Sequence, residues 1–98
     1  MATGTIDVPQ KYIFEEVTVA SSQSISSGTG TDYTASASKT GYIPVGIVSV
    51  RKTGASFAYT TISGFYIDSN EDIHVAIYNG STATRTINVY ALVMYQKV

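Results

Sequence analysis

The sequence has 98 residues, a formal net charge of −1 and no cysteine. A chain of this length forms one domain around one core, and the lack of cysteine excludes a disulfide framework and a thiolate metal site. Only 13% of the residues are charged, and the basic residues are spread along the chain, which argues against nucleic acid as a partner.

Residues 1–11 contain Gly4 and Pro9 and few large apolar side chains, so we expect an extended N-terminal arm in front of a domain that covers residues 12–98, with a frayed terminus as the alternative. The arm lacks a basic segment followed by an apolar run, and no run of about 18 apolar residues occurs along the chain. The sequence therefore predicts neither a signal peptide nor membrane insertion.

The first strands are predicted from residue type and alternation. Residues 12–20 are rich in β-branched and aromatic residues, which suit a pleated and half-buried surface. The polar run 21–30 indicates a loop or a weak edge strand around Ile25. Residues 31–38 alternate between apolar and hydroxyl side chains, so we expect a strand with one solvated face.

The segment 39–50 is apolar on both alternating faces, which is typical of a buried strand. Pro44 cannot donate a backbone hydrogen bond, so either it lies at an edge-facing position of the strand or the regular strand begins after it, and we expect the later start; Gly46 permits a bend. Residues 51–54 have the composition of a hairpin loop, which predicts a return strand at 55–62.

The next elements are a short strand at 64–67, a polar turn at 68–72 and a strand at 73–78 whose residues alternate with a period of two. Asn79 and Gly80 follow directly, and this dipeptide is a strong signal for a type I′ hairpin turn.

The longest predicted strand covers residues 84–96. Its first half alternates and its second half is apolar on both faces, so it should enter either the core or a subunit interface. The residues that we assign to a subunit interface are Leu92, Met94 and Tyr95.

No segment has the apolar spacing and the caps of a helix. About seven or eight short strands separated by turn signals predict an all-β fold, a single antiparallel β-sandwich that is jelly-roll-like. A small closed barrel is the alternative architecture.

The sequence offers no convincing catalytic or metal site. His74 is the only histidine; Asp72 lies two residues before it, but no nucleophile elbow accompanies them, so we expect a half-exposed strand histidine. Residues 68–72 carry oxygen ligands at alternate positions but lack the glycine and the glutamate of a calcium loop, so they predict a turn. We expect no enzyme activity, cofactor or metal. The glycosylation match Asn79-Gly80-Ser81 is explained by the hairpin turn.

Several of the eight tyrosines fall within predicted strands. Aromatic side chains on a strand face can stack on sugar rings or fill a contact surface, although most tyrosines pack in a core with the hydroxyl group in water. The tyrosines that we select as candidate surface or ligand contacts are Tyr59, Tyr66 and Tyr78.

The run 39–47, Lys-Thr-Gly-Tyr-Ile-Pro-Val-Gly-Ile, follows a segment rich in Ser, Thr and Gly, and the last strand ends in the apolar run 89–95. Over residues 12–96 this pattern resembles small β-rich virion proteins of tailed bacteriophages, which carry a similar central strand and a tyrosine-containing last strand.

The resemblance implies a non-enzymatic virion structural protein, made in the host cytoplasm: a tail-fibre, baseplate or head-fibre module that forms a homotrimer. It also implies contacts with other virion proteins and with the host surface, where a glycan is the expected ligand. Two alternatives remain open, which are a carbohydrate-binding β-sandwich module and a capsid decoration protein.

Overall fold

The structure, a computed structural model, describes residues 11–54 and 59–98. This part of the chain forms six strands and no α-helix, and none of its segments is a helix with the length and hydropathy needed to cross a membrane. The strands are β1 (Tyr12–Ile25), β2 (Thr29–Ser36), β3 (Tyr42–Thr53), β4 (Thr60–Ile67), β5 (Asp72–Asn79) and β6 (Arg85–Lys97).

The strands form two antiparallel sheets of three strands each. Sheet A has the order β1-β6-β3, and sheet B has the order β2-β5-β4. Among the described strands, only β4 and β5 are neighbours both in sequence and in one sheet. Every other connection passes from one sheet to the other. The last two strands of the chain are therefore the central strands of the two sheets.

The core lies between the sheets and depends on the central strands. Every second residue from Ile73 along β5, and every second residue of β6 from Ile87 to Tyr95, is buried with at most 1% of its surface exposed. Burial of one large aliphatic side chain contributes roughly 1.5 to 3 kcal/mol, so these two rows supply most of the apolar stabilisation. The rows are Ile73, Val75 and Ile77 on β5, and Ile87, Val89, Ala91, Val93 and Tyr95 on β6. Because strand side chains alternate, the intervening residues face outward.

The expected all-β class with antiparallel strands is confirmed, but the described strands number six. Two pairs of predicted segments are each one strand, because a register shift bends a strand without ending it. Strand β1 continues to the buried Ile25 through shifts between Thr18 and Gln23, and β4 continues through a shift between Ile62 and Gly64. Residues 1–10 of the expected arm and 55–58 of the expected return strand lie outside the described residues.

The predicted hairpin between residues 39–50 and 55–62 is wrong. Strand β3 pairs with β6, whereas β4 belongs to the other sheet, so the connection after β3 joins two sheets. Strand β3 also begins before Pro44, which is paired with Tyr95. An edge strand leaves alternate backbone N–H groups without a ladder partner, and a proline is tolerated at such a position.

The predicted type I′ turn at Asn79 and Gly80 is also wrong, since neither residue has a positive φ. Asn79 ends β5, and residues 80–84 lead to β6 in the other sheet. Its side chain is completely buried and donates hydrogen bonds to the carbonyl oxygens of Ile25 (2.8 Å) and Ala83 (2.9 Å). It accepts a bond from the Ser81 backbone N–H at 3.0 Å. The asparagine therefore fixes the connection between the sheets, and its amide is not accessible to a modifying enzyme.

We predict that Asn79→Ala lowers the free energy of unfolding by about 2 to 4 kcal/mol, because two carbonyl oxygens lose their buried donor. Urea unfolding followed by circular dichroism measures this change. The control is Asn70→Ala in the exposed turn before β5, which should change the value by less than about 0.5 kcal/mol. Equal losses in the two variants would contradict the role given to Asn79.

Candidate functional site

The outer face of sheet B carries a histidine held between two carboxylates. Alternation along β5 places His74 on this face, where Asp32 of β2 and Asp68 of the β4–β5 turn reach it. The His74 Nδ1 atom lies 3.2 Å from Asp32 Oδ2, and Nε2 lies 2.8 Å from Asp68 Oδ2. The ring of Tyr66 on β4 stacks on the imidazole with centroids 4.6 Å apart and planes 5° apart. We call these four residues the histidine clasp.

The contacts of the histidine clasp favour the imidazolium form. The hydrogen bonds to Asp68 and then to Asp32 raise the pKa of His74, and the hydrogen bond from His74 lowers the pKa of Asp68. Asp68 also accepts backbone N–H groups of Asn70 at 2.8 Å and Asp72 at 3.0 Å, which favour its ionised form. An imidazolium that donates from both nitrogens has no lone pair with which to act as a general base.

The clasp differs from the arrangements considered from sequence. The side chain of His74 bonds to Asp68 and Asp32. Asp72 does not bond to His74 through its side chain; its backbone N–H donates a hydrogen bond to Asp68. Within residues 11–54 and 59–98 no group of histidine and acidic side chains converges as metal ligands would. The polar segment predicted as a turn is one over residues 68–71, and Asp72 is the first residue of β5; the side-chain and backbone groups of this segment bond to each other.

The three candidate contact tyrosines have separate partners. Tyr66 and Tyr78 lie on the outer face of sheet B and are 57% and 46% exposed. A Cβ atom on Gly80 would lie only 3.3 Å from the Tyr78 ring, so the ring rests against this glycine. Tyr59 lies under the Arg85 guanidinium group, 3.8 Å from the ring centroid. Two of the three tyrosines therefore share a face.

The residues expected at a subunit interface point in two directions. Leu92 and Met94 are half-buried on the outer face of sheet A. Tyr95 has the opposite parity on β6, so it enters the core with 1% of its surface exposed and meets Tyr42 edge to face at 6.5 Å. Tyr95 is therefore a core residue, and its assignment to an interface is corrected.

Around Leu92 and Met94 the outer face of sheet A is apolar. Phe14 is the cross-strand partner of Met94, and the two register shifts of β3 leave Val45 and Val48 as extra residues beside Met94 and Leu92. Phe14, Val45 and Val48 are each about half exposed. We call the following set the apolar face: Phe14, Ile43, Val45, Val48, Leu92 and Met94.

A charged bridge borders the apolar face. Arg51 of β3 donates two hydrogen bonds to the Glu16 carboxylate of β1, at 2.8 and 2.9 Å, and its guanidinium group lies 4.2 Å from the Tyr90 ring centroid. The bridge therefore passes over the central strand β6. Its hydrogen bonds lower the pKa of Glu16 and raise the pKa of Arg51. The outer face of sheet A is therefore apolar at one end and charged where the bridge crosses it.

The sequence indicates part of this face. The two-sided apolar character of 39–50 and of the last strand indicated surplus apolar surface, but Phe14 and the Glu16–Arg51 bridge were not singled out. Alternation within residues 12–18 carries the signal for Phe14, because Ile13 and Val17 share the other parity and pack on the core. The bridge has no such signal, since its two residues are 35 positions apart.

We predict a pH-dependent stability that originates in His74. Its folded pKa is raised above the value of 6.5, so its contribution is complete below pH 6.5 and is lost as the pH rises through the folded pKa. Asp68 has a pKa lowered from 3.8, so its contribution is present above that value and is lost as the pH falls through the folded pKa. The free energy of unfolding in urea should fall for the wild type as the pH rises above 6.5. The His74→Gln variant should not show this loss. An NMR titration of the imidazole with a midpoint at or below 6.5 would contradict the account.

Comparison with known protein families, with curated proteins and with solved structures gives no match. The resemblance to virion proteins of tailed phages stays a prediction from the residues at 39–47 and 89–95. The functional conclusion therefore depends on the two outer sheet faces and their contacts.

Proposed function

We propose that this protein is a non-enzymatic structural module of a bacteriophage virion that assembles with copies of itself through the apolar face. The observation that carries the proposal is the apolar face itself, which spans all three strands of sheet A. Virion assignment, as a tail-fibre, baseplate or head-fibre module, follows the resemblance of residues 39–47.

Self-assembly is supported by the chemistry of the apolar face. Monomeric proteins rarely expose large contiguous apolar patches, and such patches generally mark interaction sites. A single exposed aliphatic residue needs no explanation, but here Phe14 and Met94 are direct partners and the two valines of β3 adjoin them. Closed rotational symmetry is the usual way for copies of one chain to cover such a surface. The trimer is the stoichiometry that the resemblance implies.

The order of the strands supports a jelly-roll-like β-sandwich. The first and last strands are neighbours in sheet A, and the second and fifth strands are neighbours in sheet B. This nested wrapping across two sheets is the arrangement found in jelly rolls, which build viral capsid and lectin domains. The described strands are fewer than the eight of a full jelly roll, so the proposed fold is a shortened form.

The histidine clasp supports a non-enzymatic role, because the one histidine has both ring nitrogens bound to carboxylates. The exposed Tyr66 and Tyr78 on sheet B favour a second candidate function, that of a carbohydrate-binding module that contacts a host-surface glycan. A capsid decoration protein uses the same self-assembly surface and differs only in its place in the particle.

We predict that Phe14→Lys lowers the mass of the assembly, with a dissociation constant at least tenfold higher, because a charge enters a desolvated contact. Phe14 is 57% exposed, so its replacement leaves the core intact. Light scattering coupled to size-exclusion chromatography at micromolar concentration measures the mass. Val48→Lys should act in the same direction.

The matched control is Thr18→Lys, which adds the same charge to an exposed residue of the same strand near the charged bridge. It should leave the mass unchanged. A wild-type chain with the monomer mass of 10.4 kDa would contradict self-assembly. Mass spectrometry of purified phage particles whose genome encodes this chain tests the virion assignment. Absence of the chain from those particles would contradict the assignment. A glycan array with Tyr66→Ala and Tyr78→Ala tests the second candidate.

A further inference from the structure

Strand β2 is an edge strand with an uninterrupted ladder on its inner side. In the described part of the chain its hydrogen-bonded neighbour is β5 alone. All eight residues, Thr29–Ser36, pair with consecutive residues of β5 without a register shift. A regular edge strand presents unpaired N–H and C=O groups at a spacing that another strand can match.

The three other edge strands are interrupted. Strands β1, β3 and β4 each contain at least one register shift, and β3 also contains Pro44. Such bulges and prolines are the devices by which proteins prevent pairing between exposed edges. Strand β2 contains no proline, lysine or arginine. The edge of β2 is therefore the one described sheet edge without these devices.

The single charge of β2 is turned away from its free edge. Asp32 bonds to His74 of β5 at 3.2 Å, so its carboxylate points back over the sheet. On the inner face, Tyr33 and Ala35 pack on the core but remain partly exposed, whereas their β5 partners Val75 and Ile73 are completely buried. The inner face of the sheet is thus incompletely covered at β2, and one more strand beside it would cover these two side chains.

We infer that β2 pairs with β2 of a second copy, antiparallel and across a two-fold axis, so that sheet B continues from one protomer into the next. Residues that face each other across the two strands must point to the same face of the joined sheet. The two-fold axis therefore passes between one residue of β2 and the same residue of the second copy. An axis at Asp32 would place two carboxylates opposite each other, which is unfavourable. An axis at Tyr33 places Asp32 opposite Thr34 and Thr31 opposite Ala35 of the second copy, with no like charges paired.

This interface is separate from the apolar face, which lies on the other sheet. A chain with both interfaces forms a larger assembly than the apolar face alone can form. The Phe14→Lys variant loses the apolar contact and should remain a dimer through β2. Failure of the β2 interface and failure of the apolar face therefore give different masses.

Thr34→Glu tests the inferred register. In the isolated protomer residue 34 is exposed and is the β5-paired neighbour of the His74 cation, so a glutamate there is tolerated. In the dimer it would lie opposite Asp32 of the second copy. On the Phe14→Lys background, Thr34→Glu should raise the dimer dissociation constant at least tenfold in sedimentation equilibrium. Thr61→Glu at the other edge of the same sheet is the control and should leave the dimer unchanged. A Phe14→Lys chain that is monomeric at 100 μM, or equal effects of the two glutamates, overturns the inference.

Cysteine cross-linking tests the geometry independently, because the natural chain contains no cysteine. Tyr33→Cys would pair with itself across the axis, where the Cα atoms of facing residues are about 4.5 to 5.5 Å apart, within disulfide range. The double variant Thr31→Cys/Ala35→Cys retains Tyr33 and would form two bonds. Mild oxidation should convert both variants to covalent dimers, and Thr61→Cys should form no covalent dimer. Cross-linking by neither variant, or equal cross-linking by Thr61→Cys, overturns the inference.

Discussion

The fold is held together by the burial of alternate residues on the two central strands, β5 and β6. Five residues of β6 and three of β5 face each other with at most 1% of their surface exposed. Shifting either strand by one position would move its apolar row into water and its outward row into the core. The parity of these strands therefore fixes which side chains every other strand presents to solvent.

Each outer face carries a charged group that spans its sheet. On sheet A the Arg51–Glu16 bridge connects the two edge strands over β6, and on sheet B the histidine clasp connects β2, β5 and the turn after β4. Exposed ion pairs contribute little to stability individually. The two groups instead make the outer faces chemically different. Sheet A is apolar beyond its bridge, and sheet B combines carboxylates with exposed tyrosine rings.

Local patterns predicted the elements whose structure is determined locally. The alternation of residues 73–78 and the β-branched composition of 12–20 gave strands where the structure has β5 and β1. The expected strand start after Pro44 and the expected turn at Asn79-Gly80 were wrong, because pairing partners decide both cases. Strand β3 is an edge strand that accepts a proline, which was the other option for Pro44, and Asn79 joins two sheets. Local turn preference is weaker than the burial of two sheets against each other.

The candidate sites show the same limit. The end of β6 is apolar on both faces, so the sequence indicated surplus apolar surface there but could not separate outward Leu92 and Met94 from inward Tyr95. The histidine clasp joins residues 42 positions apart, and a single sequence contains no signal for that contact. Topology brings Asp32 beside His74, and topology was the part of the fold that alternation alone did not determine.

Contact between copies through the apolar face can be observed in an isotope-filtered NOE experiment on a mixture of labelled and unlabelled chains. If copies meet through the apolar face, the Met94 methyl group and the Phe14 ring of one chain will show cross-peaks to apolar-face residues of another. The same mixture made with Phe14→Lys will lose these cross-peaks. Intermolecular cross-peaks confined to other surfaces, or none at all at millimolar concentration, would show that copies do not assemble through the apolar face.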